Sequence, residues 1–192
     1  SVDMKYGTSE KSEEYKKDET DIPIIRIPNI KRNALDISKM KYLPEASIRD
    51  NLFLKEGDLL FVRSNGNPDY VGRVAVIGKM ECRYSYASYL IRLRIDRTDM
   101  LPKFLGFMLS TENFRTYISS YGSTTAGNYN INTQKLKEIK IIVPSIEEQY
   151  EFLDIIEEIE TQKKMMEESL HEMDNNFNAL MQKAFNGELF PE

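Results

Sequence analysis

The sequence predicts an α+β fold: a small mixed α/β body with short twisted strands, followed by one long coiled-coil α-helix. Three observations carry this expectation. Short apolar runs separated by Gly, Pro, Asn and Ser clusters occupy much of residues 22–95. The period turns helical over Leu101–Ser119. From Ser145 onward, apolar residues recur at alternating steps of four and three, with no Gly or Pro before Asn186-Gly187.

The first 21 residues are polar and rich in Lys and Glu, with Gly7-Thr8-Ser9 as a loop. Ile22–Ile30 (IPIIRIPNI) reads as a buried edge or bulged strand, because Pro23 and Pro28 cannot donate to a ladder. Gly57-Asp58 turns into a strand over Leu59–Arg63, and Ser64–Gly72 (SNGNPDYVG) is a loop dense in turn formers. Arg73–Gly78 follows as a strand. Tyr89–Ile95 alternates apolar residues with Arg92 and Arg94, the pattern of a half-exposed strand. One helix is expected over Leu101–Ser119, with Pro102 in its first turn. Tyr121–Asn132 reads as a loop, and Lys140–Val143 as a last strand closed by Pro144.

Ser145 and Glu148 form a capping box. The stripe behind it is Phe152, Ile156, Ile159, Lys163, Met166, Leu170, Met173, Phe177, Leu180 and Ala184, with Lys163 as its single polar member. At ~1.5 Å per residue the helix would extend roughly 60 Å. A body of this size cannot bury such a stripe, so a second helix is expected against it, from another copy or from another part of the same polypeptide. The expected organisation is residues 1–144 as the body, 145–186 as the spacer or dimerisation helix, and 187–192 as a tail.

Composition narrows the function. At 192 residues, 41% hydrophobic and 30% charged, the chain is too polar for a membrane protein and too apolar for a disordered one. No run approaches a bilayer span, so a cytoplasmic protein is expected. Cys82 and His171 are the only residues of their kinds, which removes disulfides, Cys-based zinc sites and two-histidine metal sites. The net charge of −5 hides a division: residues 146–192 carry 13 acids and three bases, whereas 22–145 carry 11 acids and 19 bases. Residues 1–145 together carry +5 and residues 22–145 carry +8, and a basic body joined to an acidic helix suggests a nucleic-acid partner for the body alone.

Patterns that resemble catalytic motifs fail on spacing. Gly72–Lys79 (GRVAVIGK) has five residues between its glycines where a phosphate loop has four, and Met80 replaces the Ser or Thr. Asn67-Pro68-Asp69-Tyr70 approximates the Asn-Pro-Pro-Tyr of amino-methyltransferases, but no Gly-rich cofactor loop precedes it. A nuclease reading of Pro68-Asp69 would need Glu138-Ile139-Lys140, far off in sequence. His171, at a heptad b position, is a surface residue. No catalytic residue and no metal site is expected.

The basic body instead offers chemistry suited to phosphates and base edges. One group is Arg63, Ser64, Asn65, Asn67, Tyr70 and Arg73. A second is Arg83, Tyr84 and Tyr86, with Ser88. A third is Ser123, Thr124, Thr125, Asn128, Tyr129, Asn130 and Asn132, where Gly122 and Gly127 allow close backbone approach. Lys31 and Arg32 follow the first apolar run. Any one group is ordinary turn chemistry. Three together on a basic body favour nucleic acid.

Six stretches, in order, give the chain a resemblance. They are Gly7–Ser12 (GTSEKS), Pro23–Ile30 (PIIRIPNI), Gly57–Arg63 (GDLLFVR), Gly127–Ile131, Ile142-Val143-Pro144 with Glu147-Glu148-Gln149, and Gln182–Leu189 (QKAFNGEL). In this order they resemble one half of a type I restriction–modification DNA specificity subunit: one target-recognition domain and the helix that follows it. The resemblance implies a non-catalytic reader of one part of a bipartite target. Its helix would pair in an antiparallel coiled coil that spaces two recognition domains and docks methyltransferase subunits. S-adenosylmethionine, ATP and Mg would then belong to those partners and to the restriction subunits that join them, in a bacterial defence system. A full subunit carries two recognition domains and two helices, whereas this chain carries one of each and opens inside the usual beginning of a recognition domain. It therefore reads as a natural half-subunit that dimerises, the C-terminal half of a full subunit, or the specificity end of a fused methyltransferase–nuclease. A pure protein-interaction module built on the coiled coil is the reading from another class.

Overall fold

The computed structural model describes residues 2–31, 33–121, 123–125 and 128–189, with the backbone alone at 68, 119–121, 123–125 and 128. The strands are β1 (Val2–Tyr6), β2 (Ile22–Ile25), β3 (Lys41–Leu43), β4 (Leu59–Val62), β5 (Ser64–Asn65), β6 (Val74–Val76), β7 (Ser85–Tyr86), β8 (Leu90–Ile95), β9 (Ser123–Thr125) and β10 (Asn128–Asn130). The helices are α1 (Pro102–Ser110), α2 (Glu112–Tyr121), α3 (Thr133–Glu138) and α4 (Ile146–Phe185). Two compact units divide the chain, Ser1–Gln149 and Tyr150–Glu192.

An antiparallel sheet in the order β1-β8-β4-β6 organises the first unit. Its central strand, Leu59-Leu60-Phe61-Val62, is apolar at every position because both faces are covered. Leu59 and Phe61 pack with Ile91, Val74, Leu105, Leu109, Ile118 and Leu136, the layer that α1, α2 and α3 supply. Leu60 and Val62 face Ile25, Ile30, Ala75, Tyr86 and Leu90 on the side of a second sheet, β3-β2-β7. A third sheet, β5-β10-β9, is small and polar.

Several local expectations change once the layers form. The alternation in β8 separates two covered faces rather than core from solvent. Ile91 and Leu93 enter the helix-side core, while Arg92 is fully buried on the face it shares with Leu90. Arg92 is held by an ion pair to Asp3 and donates from Nη1 to the Asn51 carbonyl at 2.9 Å. Arg94 grips Asp58 in a fork, Nε to Oδ1 and Nη2 to Oδ2, each 2.7 Å. The polar N-terminus likewise contributes β1, because Val2 and Met4 pack on the core while Asp3 supplies the partner of Arg92.

The helix expected over Leu101–Ser119 is broken at Thr111, whose extended backbone ends α1 and precedes α2. Ile22–Ile30 forms a strand only to Ile25 and then a 3-10 turn over Ile27–Asn29, where Pro28 interrupts pairing. Residues 139–145 are irregular, so the strand expected at Lys140–Val143 is absent: Ile141 and Val143 pack against the core without a strand to pair with, and Ile142 is exposed. Within Tyr121–Asn132 the described residues hold a short ladder, β9 to β10.

α4 begins as its sequence says. The Glu148 carboxylate accepts from the Ser145 N–H at 2.8 Å, and the Glu148 N–H donates back to Ser145 Oγ. That pairing, by the Ser145 backbone first and its hydroxyl second, holds the Glu148 carboxyl below the usual glutamate range. Gln149, fully buried, fastens this first turn within the first unit. Its Oε1 accepts from the Leu101 N–H at 2.8 Å, and its Nε2 donates to the carbonyls of Asp99 and Pro144. Along the second unit the helix runs without interruption to Phe185, and Gly187 follows at φ +75°. Its stripe is solvent-exposed: Met166, Leu170, Met173 and Phe177 are all more than half accessible.

Candidate nucleic-acid interface

The third sheet brings two of the three loop groups together. β5 carries Ser64 and Asn65, and it pairs antiparallel with β10, Tyr129 opposite Asn65 and Asn130 opposite Ser64. β9 completes the sheet through Asn128–Thr125 and Asn130–Ser123. Residues 64 and 66 positions apart in sequence thus share one polar surface.

Arg63 locks this sheet to the body. Its Nε donates to the Ser88 carbonyl at 3.0 Å, and its Nη1 to Asn130 Oδ1 at 3.3 Å. The guanidinium stacks 4.7 Å from the Tyr6 ring centroid, and the Tyr6 hydroxyl accepts from the Thr133 N–H at 3.1 Å. Partial burial pushes the Tyr6 phenol up, but the Thr133 hydrogen bonds and the Arg63 cation outweigh it, and the group lies below the ordinary tyrosine value. Backbone bonds add to the lock: Arg63 N–H to the Tyr89 carbonyl, and Ile131 N–H to the Arg63 carbonyl. Tyr6, Tyr89 and Tyr129 remain exposed around it.

The Asn65–Arg73 turn is built from its own side chains. Asn65 Oδ1 accepts from the Asn67 N–H at 2.8 Å, and Asn67 Oδ1 accepts from the Asp69 N–H at 2.9 Å. Residues Pro68–Tyr70 form a 3-10 turn, so the stretch reminiscent of a methyltransferase motif is a turn. Arg73 stacks 3.9 Å over the Tyr70 ring and donates to the Asp69 carbonyl, which also accepts from Arg115 Nη2 at 2.6 Å.

Other sequence-predicted residues also have structural partners. Tyr86 is fully buried, against its expected place on a binding loop. It pairs with β2 beside Ile25 and donates its hydroxyl to the Lys5 carbonyl at 3.3 Å. Burial pushes its phenol up to about 12. Asn132 caps α3, its Oδ1 accepting from the Lys135 N–H at 2.8 Å. Arg83 pairs with Glu45 and stacks 3.6 Å over Phe53, and Tyr84 packs half-buried against the second core. Lys31 is ion-paired with Asp36 at 3.5 Å. Arg32, Gly122 and Gly127 lie outside the described residues, as do the side chains of Ser123, Thr124, Thr125 and Asn128. No three His, Cys, Asp or Glu side chains gather as a metal-binding group among the described residues.

Sequence reasoning passed over Tyr6, Tyr89 and Thr133, which tertiary contacts bring to Arg63. The signal for Tyr6 was present: Val2-Asp3-Met4-Lys5-Tyr6 alternates with period two.

Comparison with known proteins decides the family. The type I restriction modification DNA specificity domain matches residues 3–174 of the chain. The chain belongs to that family. It is 28% identical over 173 residues to the type I restriction enzyme EcoKI specificity subunit of Escherichia coli K12, covering 87% of this chain and 37% of that protein. It is 26% identical to the StySPI specificity subunit of Salmonella potsdam, over 88% of this chain and 38% of that one. The specificity-domain chain therefore spans well under half the length of these relatives. Its fold is shared with the HsdS subunit from Thermoanaerobacter tengcongensis, at TM-score 0.62 and 20% identity over 98% of this chain and 43% of that one. A chain from a structure of type I R-M complex assembly and conformational transition gives TM-score 0.68 at 18% identity, over 98% and 44%.

Proposed function

We propose that this specificity domain reads one part of a bipartite double-stranded DNA sequence and catalyses nothing itself. The observation that carries the reading is the β5-β10-β9 sheet, which gathers Asn65, Tyr129 and Asn130 beside exposed Tyr6 and Tyr89 on a body whose residues 1–145 carry net charge +5. Asn side chains can read adenine bidentately, and exposed tyrosines offer apolar and hydroxyl contacts to base edges and sugars. The curated relatives, named as specificity subunits, support the same reading.

The exposed stripe of α4 supports a second part of the proposal. Phe152, Ile156, Ile159, Met166, Leu170, Met173, Phe177, Leu180 and Ala184 repeat with heptad spacing, interrupted only by Lys163. A partner helix would cover them in a coiled coil, from a second copy or from another specificity half, and methyltransferase subunits would dock on the pair. Lys163, paired with Glu160 at 3.2 Å, would favour one register over others. S-adenosylmethionine, ATP and Mg would be bound by the partner subunits, which carry the methylation and cleavage.

Selection from randomised duplex DNA at ~0.15 M salt tests the reading. A short enriched motif is the expected result, and two inverted copies at fixed spacing would add pairing through α4. No enrichment, alone or with the methyltransferase subunit, would favour a protein-interaction module instead.

A further inference from the structure

Among the described residues, the cations that loop chemistry singles out are already engaged within the body. Arg63 bonds Ser88 and Asn130, Arg73 bonds Asp69, Arg83 pairs with Glu45, and Lys31 pairs with Asp36. DNA binding draws most of its affinity from phosphate neutralisation. Arg83 and Lys31 are neutralised by carboxylates, whereas Arg63 and Arg73 keep their charge but are held to carbonyl and amide oxygens, so cations with free head groups beside the β5-β10-β9 sheet are the better phosphate partners.

Tyr6, the residue under Arg63, also lines a polar groove of about 460 Å³. The groove presents Lys5, Ser9, Ser47 and Arg49, with Glu10 as its one carboxylate. Arg49 is exposed, and its guanidinium has no hydrogen bond or ion pair among the described residues. Lys5 has only a distant partner, Asp3 Oδ2 at 3.9 Å, and that same oxygen pairs with the buried Arg92. Arg49 thus lacks a countercharge among the described residues, and Lys5 shares its distant one with Arg92. Its floor is rigid: a Cβ on Gly7 would stand 2.2 Å from the Tyr86 carbonyl oxygen, and the Thr8 N–H donates to that oxygen at 2.9 Å. Two cations and the Ser9 hydroxyl on a fixed floor suit a phosphodiester, which offers one negative charge and acceptor oxygens only.

We infer that this groove holds a backbone phosphate of the DNA read by the neighbouring sheet, with Arg49 and Lys5 as its charge partners and Ser9 as hydroxyl donor. The inference rests on the DNA-reading function proposed above, and it assigns the groove to register rather than to base choice. It predicts a sequence-independent contribution.

Anisotropy titrations of the full chain against a duplex carrying the selected motif and a scrambled duplex, across a range of salt, test it. The Lys5→Ala/Arg49→Ala variant should weaken binding to both duplexes by the same factor. Its plot of log affinity against log salt should be shallower by about two, with motif preference unchanged. Arg49→Lys, which keeps the charge, should keep the wild-type slope. Wild-type slope and affinity in the folded double variant would overturn the groove assignment while leaving DNA reading intact. Lost motif preference at an unchanged slope would also overturn it, by making these residues base contacts. A wild-type chain with no duplex affinity would overturn the DNA reading and the groove assignment with it.

Discussion

Single residues carry the interlocks of the body. Gln149 satisfies three backbone groups at once, and removing it leaves the Leu101 N–H and the carbonyls of Asp99 and Pro144 without their partner. Gln149→Leu should cost about 1–3 kcal/mol, read as a lower urea midpoint at unchanged slope. Tyr86 gives the body an alkaline weakness. Its folded phenol, pushed up to about 12 by burial, stays protonated where the unfolded one at 10.0 has ionised. Its contribution is complete below the unfolded value and is lost as pH rises toward the folded one. Tyr84, also pushed up to about 12 chiefly by burial, acts in the same direction. Stability measured from pH 9 to 12 should fall less steeply in Tyr86→Phe than in the wild type. Equal slopes would mean that Tyr86 does not titrate late.

At the scale of elements, the polar hairpin depends on one cation. Arg63 bonds a strand end, a loop carbonyl and Asn130 at the same time, so Arg63→Ala should free β10 without unfolding the main sheet. Hydrogen exchange is the measurement: amides of Asn130 and Ile131 should exchange faster while those of β4 and β8 keep their protection. Gly7 sets a different limit. Any side chain there meets the Tyr86 and Ala87 carbonyls at 2.2–2.4 Å, so Gly7→Ala should destabilise by roughly 2 kcal/mol or more, visible in thermal unfolding. α4 behaves otherwise, since its stripe is exposed. Leu170→Glu with Phe177→Glu should leave the thermal midpoint of the body unchanged and abolish self-association in sedimentation. A double variant that sediments as the wild type would show that the stripe is not a contact between copies.

For the whole molecule, charge and architecture divide at nearly the same place. The basic body ends where the acidic helix begins, and Gln149 closes the first compact unit. Affinity for duplex DNA should therefore reside in the body and fall with salt, whereas association through α4 is apolar and should hold at the same salt. Sedimentation and anisotropy run on one sample from 0.05 to 0.5 M salt separate the two. A parallel loss of both would tie DNA binding to pairing.

The sequence by itself determined what depends on local spacing. The heptad steps from Phe152 to Ala184, the Ser145–Glu148 box and Gly187 place α4 almost to the residue, because a helix reads contacts three and four positions apart. The apolar run at Leu59–Arg63 marked a strand, because a strand covered on both faces is apolar at successive positions, and the ordered motifs pointed to the specificity-domain family. Only the tertiary structure decided where polar residues went. Arg92 looked solvent-facing and is buried, because Asp3, ninety residues earlier, supplies its countercharge in β1. Tyr86 looked like a loop contact and is core, because β7 joins a sheet with a strand sixty residues upstream. Arg63 reads from sequence only as a candidate DNA contact, and the tertiary structure adds its role as a lock, because Ser88 and Asn130 reach it. A polar side chain's role is set by which partner satisfies it, and the partners here are distant in the chain, beyond what spacing alone encodes.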